Sequence, residues 1–220
     1  MRKITSIENQ KKNPDRVNIY LDGQYVFSLS RFVAGWLKFG QQLSDAKIES
    51  LQLEDSQEKS IQKALRFLEY RNRSTQEVRK YLEKNEFPEI VIQHSLQRLS
   101  ESNLLNDFEF AKGWVDNRNS FRPRGRKFLE FELRHKGLSD ELIQTVLDEN
   151  VDEATLALEA AKKYLRKLNG LPWLEFRQKL GSFLSRRGFS YAISSQVTRS
   201  VWNEMQNIES INKQNENKES

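Results

Sequence analysis

Apolar and polar residues alternate near the start of the chain and then change to a helical period. Val17, Ile19 and Leu21 alternate with Asn18 and Tyr20, Asp22-Gly23 follow, and Tyr25-Val26-Phe27 begins a return strand. Asp-Gly between alternating apolar runs is the signal of a tight hairpin whose turn matches strand twist, and it predicts a β-hairpin over residues 17–29. A lone hairpin is marginal in water; Phe32, Val33, Trp36 and Leu37 are its expected support. Ser44 can cap a helix beginning at Asp45. Ile48, Leu51, Ile61, Ala64, Leu65 and Leu68 carry helical spacing onward, across a polar stretch from Glu54 to Lys59 that is either a solvated helix or a joint between modules. From about residue 60 the pattern is helical almost throughout, in short segments broken at Gly, Pro or Asn. Beyond about Asn207 apolar residues nearly vanish (Ser210, Asn212, Gln214, Asn215, Asn217), which predicts a disordered tail.

The helical region repeats. Phe87, Leu138 and Phe189 stand at intervals of 51 residues, each with a leucine five positions earlier (Leu82, Leu133, Leu184). Nine positions before each centre is Val78, Leu129 or Leu180, and four after is Val91, Leu142 or Ile193. The immediate surroundings are Lys84-Asn85-Glu86-Phe87-Pro88, His135-Lys136-Gly137-Leu138-Ser139 and Arg186-Arg187-Gly188-Phe189-Ser190. A helix with one apolar face ends at a glycine able to take the left-handed conformation. The next apolar residue folds back on the helix end, and Ser or Pro starts the following helix. In the first copy Glu86 stands at the glycine position, so a different or mildly strained helix end is expected there.

A further helix precedes each copy, over residues 61–70, 108–117 and 156–168. The expected architecture is therefore all-α: tandem three-helix modules, about nine helices, in an elongated curved array with a small N-terminal β-hairpin. Units of ~50 residues are near the lower limit of independent stability and are expected to stack. The expected divisions are 1–58 (hairpin and helix), 59–105, 106–150 and 151–206 (modules one to three), and 207–220 (tail).

Composition adjusts this picture in three ways. With 37% hydrophobic and 30% charged residues, the 220-residue chain suits thin helical units better than one large core. There is no cysteine, which excludes disulfides, thiolate metal sites and cysteine nucleophiles. The N-terminus Met1-Arg2-Lys3-Ile4-Thr5 lacks a signal-peptide run, and no stretch approaches ~18 apolar residues, so a cytoplasmic location is expected.

The net charge of +5 is local. Residues 118–136 hold Arg118, Arg122, Arg124, Arg126, Lys127, Arg134 and Lys136 against Glu130 and Glu132, which equals the net charge of the whole chain. Pro123 and Gly125 hold Arg122–Lys127 out as a loop, and guanidinium groups there suit bidentate contact with phosphates or carboxylates. Phe121 beside them is a candidate to stack on a base or to plug the interior. Glu130 and Glu132 are expected salt-bridge partners. Lesser basic groups stand in the other copies: Arg71, Arg73, Arg79, Lys80 and Lys84, then Lys162, Lys163, Arg166 and Lys167, and Arg186 and Arg187.

No catalytic constellation is visible. The two histidines, His94 and His135, lie in different copies, and no glycine-rich loop leads into Lys-Ser or Lys-Thr. No serine sits in a nucleophile elbow. Ser74 and Glu77 form a capping-box pattern before Val78, as at the start of a recognition helix. Tandem copies in one chain nevertheless suit a surface tracking a polymer better than a dimeric sequence reader. A non-enzymatic protein without cofactor or metal is expected.

Several runs resemble the bacterial RecX family. In the first module these are Ala64-Leu65-Arg66-Phe67-Leu68, Arg71, Arg73-Ser74, Glu77-Val78, Tyr81-Leu82, Phe87-Pro88 and Val91-Ile92. The second has Leu104-Leu105-Asn106-Asp107-Phe108-Glu109-Phe110-Ala111, Trp114-Val115, Arg118 and Arg122-Pro123-Arg124-Gly125, then Glu132-Leu133-Arg134 and Lys136-Gly137-Leu138. The third has Leu184-Ser185-Arg186-Arg187-Gly188-Phe189-Ser190-Tyr191. The resemblance covers about residues 60–205, and the hairpin resembles an extension of some members. Departures are Glu86 and the inserted Leu171-Pro172-Trp173.

The resemblance implies a curved array of three-helix modules that binds in the groove of the RecA–DNA filament and inhibits recombinase, ATPase and coprotease activities. The expected contacts to filament or nucleic acid are Arg71, Arg73, Arg118, Arg122, Arg124, Arg126, Lys127, Arg134, Lys136, Arg186 and Arg187. The expected partners are the RecA nucleoprotein filament and single- or double-stranded DNA, with a monomeric protein and no membrane. A DNA-binding protein acting without RecA, and an adaptor for an acidic protein, are the alternatives.

Overall fold

The computed structural model describes residues 1–216, and side-chain environments through residue 208. The chain divides into two compact units, 1–105 and 106–220.

The first unit opens with a four-stranded antiparallel sheet: β1 Arg2–Asn9, β2 Arg16–Leu21, β3 Gln24–Ser30 and β4 Gln42–Leu43, in the order β3-β2-β1-β4. The expected hairpin is its β2–β3 pair. Asp22 and Gly23 have φ of 51° and 84°, the doubly left-handed turn that right-twisted strands favour. Alternation holds in β2, where Val17, Ile19 and Leu21 are buried.

The expected support is corrected. Val33 and Leu37 pack at the core margin, but Phe32 and Trp36 are exposed (76% and 88%). The connecting helix α1, Arg31–Ala34, is one turn long, so only one side of it meets the sheet, through Ala34. The sheet instead closes on Leu43 and on Ile48 and Leu51 of helix α2, Asp45–Glu69.

Ser44 caps α2 by accepting from the Lys47 N–H. The polar stretch 54–59 lies inside this 25-residue helix, which continues into the first three-helix module, so residue 58/59 is not a break in secondary structure. Asp55 in that stretch is buried. It accepts from the Ser30 N–H at 2.6 Å and pairs with Arg16 at 3.1 Å and Lys59 at 2.7 Å, tying α2 to the end of β3. The module is completed by α3, Thr75–Lys84, and α4, Glu89–Glu101, around Ala64, Val78, Leu82, Ile92, Leu96 and Leu99. The Ser74–Glu77 capping box is present.

Among the described residues the second unit holds six α-helices. Module two comprises α5 Asp107–Phe121, α6 Arg126–His135 and α7 Asp140–Asn150. Module three comprises α8 Glu153–Tyr164, a 3-10 turn Leu165–Lys167, α9 Trp173–Arg186 and α10 Tyr191–Glu216. Pro172 of the insertion is the N-cap of α9, and Trp173 packs on Phe176 and Trp202. The tail expected from residue 207 is corrected as far as Glu216, because α10 continues to that residue; residues 217–220 lie outside the described residues.

The repeat is one capping geometry used three times. The N–H groups of Phe87, Leu138 and Phe189 donate to the carbonyls of Leu82, Leu133 and Leu184 at 3.3, 3.3 and 3.2 Å. The preceding residues, Glu86, Gly137 and Gly188, have φ of 61°, 82° and 86° and donate to Glu83, Arg134 and Ser185. This is the Schellman arrangement. Leu82, Leu133 and Leu184 are fully buried, as are Val78, Leu129 and Leu180.

Glu86 thus adopts the same left-handed geometry as the glycines despite its Cβ. Glu86→Gly should stabilise the first unit by about 0.5–1 kcal/mol, since relief of left-handed strain exceeds the added unfolded-state entropy. A higher urea midpoint at unchanged m-value checks this; a lower midpoint refutes it.

Candidate functional site

In the loop after α5, Pro123 and Gly125 are buried, whereas Arg122 and Lys127 are exposed and Arg124 is half-buried. Gly125 is the N-cap of α6 with ordinary φ and ψ of −73° and 161°. Its N–H donates to the Arg187 carbonyl at 2.8 Å, and the Arg187 guanidinium donates to the Pro123 carbonyl at 3.1 Å. The approach is so close that a Cβ on Gly125 would lie 2.2 Å from the Gly188 carbonyl carbon and the Phe189 nitrogen. The Arg-Pro-Arg loop of module two is therefore docked on the α9–α10 corner of module three.

This docking gathers Arg122, Arg124 and Lys127 from one module with Arg186 and Arg187 from the next. Among the described residues none of these five has an ion-pair partner. Burial pulls the Arg187 pKa below its ordinary value, and the nearby Arg124 and Arg122 pull it further. Burial is the larger cause and the two neighbouring cations the lesser one, and a guanidinium stays charged at neutral pH all the same. Aromatic faces take the place of counterions: Arg124 lies 4.2 Å from the Phe128 ring centroid and Arg187 lies 4.6 Å from that of Phe183. The Arg124 Nε is buried without a hydrogen-bond partner. Phe121 beside the loop is 76% exposed, so it is no interior plug.

Other expected contacts are held internally. Arg126 pairs with Asp148 at 2.6 Å and Glu130 at 3.4 Å and donates to Gln144 at 2.6 Å, so its charge is spent within module two. Arg118 pairs with Glu132 at 2.8 Å over the Trp114 ring, and Trp114 Nε1 donates to the same carboxylate at 2.9 Å. Arg134 pairs with Asp140 at 2.6 Å, and hydrogen bonding to that carboxylate raises its pKa. Lys136 lies over the Trp114 ring.

In the first unit Arg71 makes a bidentate pair with Glu77 at 3.0 and 3.1 Å. Arg73 lies 4.1 Å from the centroid of Phe67, with its Nε buried and unpartnered. Burial lowers the Arg73 pKa, and Arg71 adds to the effect.

Sequence reasoning passed over Arg177 and Arg199, which share a cavity with Lys127 and Arg186. The available signal was the set of small hydroxyl residues on both helices flanking the third repeat centre, Ser182 and Ser185 before it and Ser194, Ser195 and Thr198 after.

Among the described residues there is no group of three or more His, Cys, Asp or Glu suited to a metal, and no helix is long and apolar enough to cross a membrane.

A sheet-bearing N-terminal segment followed by capped three-helix repeats, with a cluster of arginines that make no ion pair among the described residues between two of the repeats, defines a class of helical-repeat proteins. Family models assign that class. Residues 2–44 match the regulatory protein RecX N-terminal domain, and 61–99, 106–147 and 152–198 match the first, second and third three-helix domains of RecX. The chain is 38% identical over 196 residues to the regulatory protein RecX of Bacillus subtilis (strain 168), covering 87% of this chain and 74% of the relative. With that of Bacillus pumilus it is 35% identical over 203 residues, covering 90% and 77%. A crystal structure of regulatory protein RecX superposes with a TM-score of 0.73 at 28% identity, covering 90% of this chain and 100% of that one. The protein belongs to the RecX family.

Proposed function

We propose that this protein acts by binding rather than by catalysis: it binds the RecA–DNA filament and inhibits its recombinase and ATPase activities. The family is one of regulatory proteins, and RecA is the partner that the sequence resemblance implies. The observation that carries the reading is the Arg122, Arg124 and Arg187 cluster, with Lys127 and Arg186 beside it, none of which makes an ion pair among the described residues; the Glu153 carboxylate at this seam accepts instead from the Arg126 and Ser190 N–H groups at 3.4 and 3.2 Å. Maintaining like charges together costs stability unless a partner supplies the anions, and a polyanionic filament does so. Contacts from several modules on one chain would add through effective concentration.

In an Arg122→Ala, Arg124→Ala, Lys127→Ala, Arg186→Ala variant, inhibition of RecA ATPase should require at least about tenfold more protein, the equivalent of losing one or two charge-assisted contacts. Circular dichroism should be unchanged. Arg126→Ala should instead act on the stability of module two. Full inhibition by the quadruple variant refutes the assignment.

The same cluster supports a second reading, binding to bare DNA without RecA. Phosphate contacts would give a salt dependence of about −0.9 per contact in log–log slope on duplex. Tight, salt-sensitive DNA binding with no effect on RecA selects that reading.

A further inference from the structure

Between α9 and α10, at the start of α6, lies a cavity of about 610 Å³. That is within the range of small-molecule sites, ~300–1,000 Å³. Lys127, Arg177, Arg186 and Arg199 line it and no carboxylate does. All four cations are exposed, and among the described residues none has an ion-pair partner.

The α10 wall carries hydroxyls. Ser194 and Thr198, one helical turn apart, are 4% and 2% exposed, and neither hydroxyl has a hydrogen-bond partner. Buried hydroxyls are normally paired, and on a helix the carbonyl four residues back is the usual acceptor. The two unpaired hydroxyls lie just behind the wall, beneath four unpaired cations, and rotation about χ1 turns each toward the cavity, where it can donate to an oxyanion. Tyr191, 80% exposed, stands at the same cavity with its ring open to solvent. Gly181 lines the cavity from α9, and a Cβ there would meet nothing within 4 Å.

We propose that this cavity binds the phosphate of a nucleotide, with the base against Tyr191. Guanidinium and hydroxyl groups together match phosphate oxygens, and any base has a π-face for a tyrosine. The ligand is either a free nucleotide or a nucleotide unit of a single strand, which share this chemistry. The cavity shares Lys127 and Arg186 with the proposed filament contact, but the inference does not rest on that reading, because its test contains no RecA.

The test titrates the full chain at low salt with ADP, with 5′-phosphorylated tetrathymidylate and with the same oligonucleotide bearing a 5′-hydroxyl, and repeats this with two variants. Gly181→Phe fills the cavity from a helical position where glycine is a poor helix former, so the fold is retained, as a thermal melt will verify. Arg177→Glu with Arg199→Glu reverses two of the cations. Binding of ADP, reduced at least about tenfold by both variants, supports the proposal with a free nucleotide as ligand. Binding of the oligonucleotides alone, with the same sensitivity, supports it with a strand as ligand, and a preference for the 5′-phosphate places the strand end there. Binding of none of the probes by the unaltered chain overturns the proposal. Binding that Gly181→Phe leaves unchanged overturns it as well.

Discussion

An Asp55→Ala variant should lose about 3–5 kcal/mol of stability in the first unit, as expected when one partner of a buried ion pair is removed. The Asp55 side chain is 4% exposed and that of Arg16 is 15% exposed. Truncation leaves the Arg16 guanidinium short of its counter-charge and removes the acceptor of the Ser30 N–H. Lys59 is about half exposed, so its share is small after solvent screening.

The effect carries a signature in pH. Burial alone would raise the Asp55 pKa; hydrogen bonds from Lys59, Arg16 and the Ser30 N–H outweigh it, and the net shift is downward from 3.8. A carboxylate whose folded pKa is depressed contributes stability that is fully present above its unfolded value and lost as pH falls through the folded one. Asp55→Asn keeps an acceptor for Ser30 but not the charge. Its deficit relative to the unaltered protein should therefore be full at pH 7 and shrink as the pH falls below about 4. Urea unfolding at the two pH values measures this. A deficit that stays constant with pH, or an Asn variant as stable as the parent at pH 7, contradicts the role given to the charge.

Gly125→Ala should be nearly as damaging, and for a different reason. The backbone at Gly125 is in a region open to any residue, so the whole penalty is steric. The added methyl would sit 2.2 Å from the Gly188 carbonyl carbon and 2.3 Å from its oxygen, all main-chain atoms that cannot swing aside. Overpacking in a close-packed interior costs about 1–3 kcal/mol, and a backbone-against-backbone clash lies at or beyond the upper end. Relief requires the loop to lift from the α9–α10 corner, breaking the Gly125–Arg187 and Arg187–Pro123 hydrogen bonds. Stability of the second unit should fall by about 3 kcal/mol. Under the proposed function, filament binding should fall with it, because the arginine cluster disperses.

Gly113→Ala is the matched control. It lies within α5, a Cβ there meets nothing within 4 Å, and the change should stabilise by about 0.5–1 kcal/mol. Similar melting temperatures for the two alanine variants would disprove the close approach.

The three repeat corners show how much was legible in one dimension. A helix face, its terminating left-handed residue and the apolar residue that folds back are all set within about ten consecutive positions. The 51-residue interval therefore announced the Schellman corners at Glu86, Gly137 and Gly188. The Asp22-Gly23 turn was legible for the same reason, while the β1 strand that pairs with β2 carried no comparable turn signal. The excess of cations at residues 118–136 was also plain, but not their fates. Arg124 and Arg126 are two positions apart, yet one is left without a carboxylate and the other is held by Asp148. Nothing in their local sequence separates them.

Local order along the chain set the helical periods, the caps, the repeat and the place where positive charge concentrates, because each depends on backbone conformation and side chains within a turn or two. Packing between distant elements decided which charges are spent inside and which are left without a carboxylate. Asp55 meets Arg16 across 39 residues, and Arg187 meets Pro123 across 64. It also brought Arg177 and Arg199 to one cavity with two unpaired hydroxyls. Pairing of charges and closure of cavities depend on distances of a few ångströms between elements remote in the chain, and those distances exist only once the apolar faces have packed.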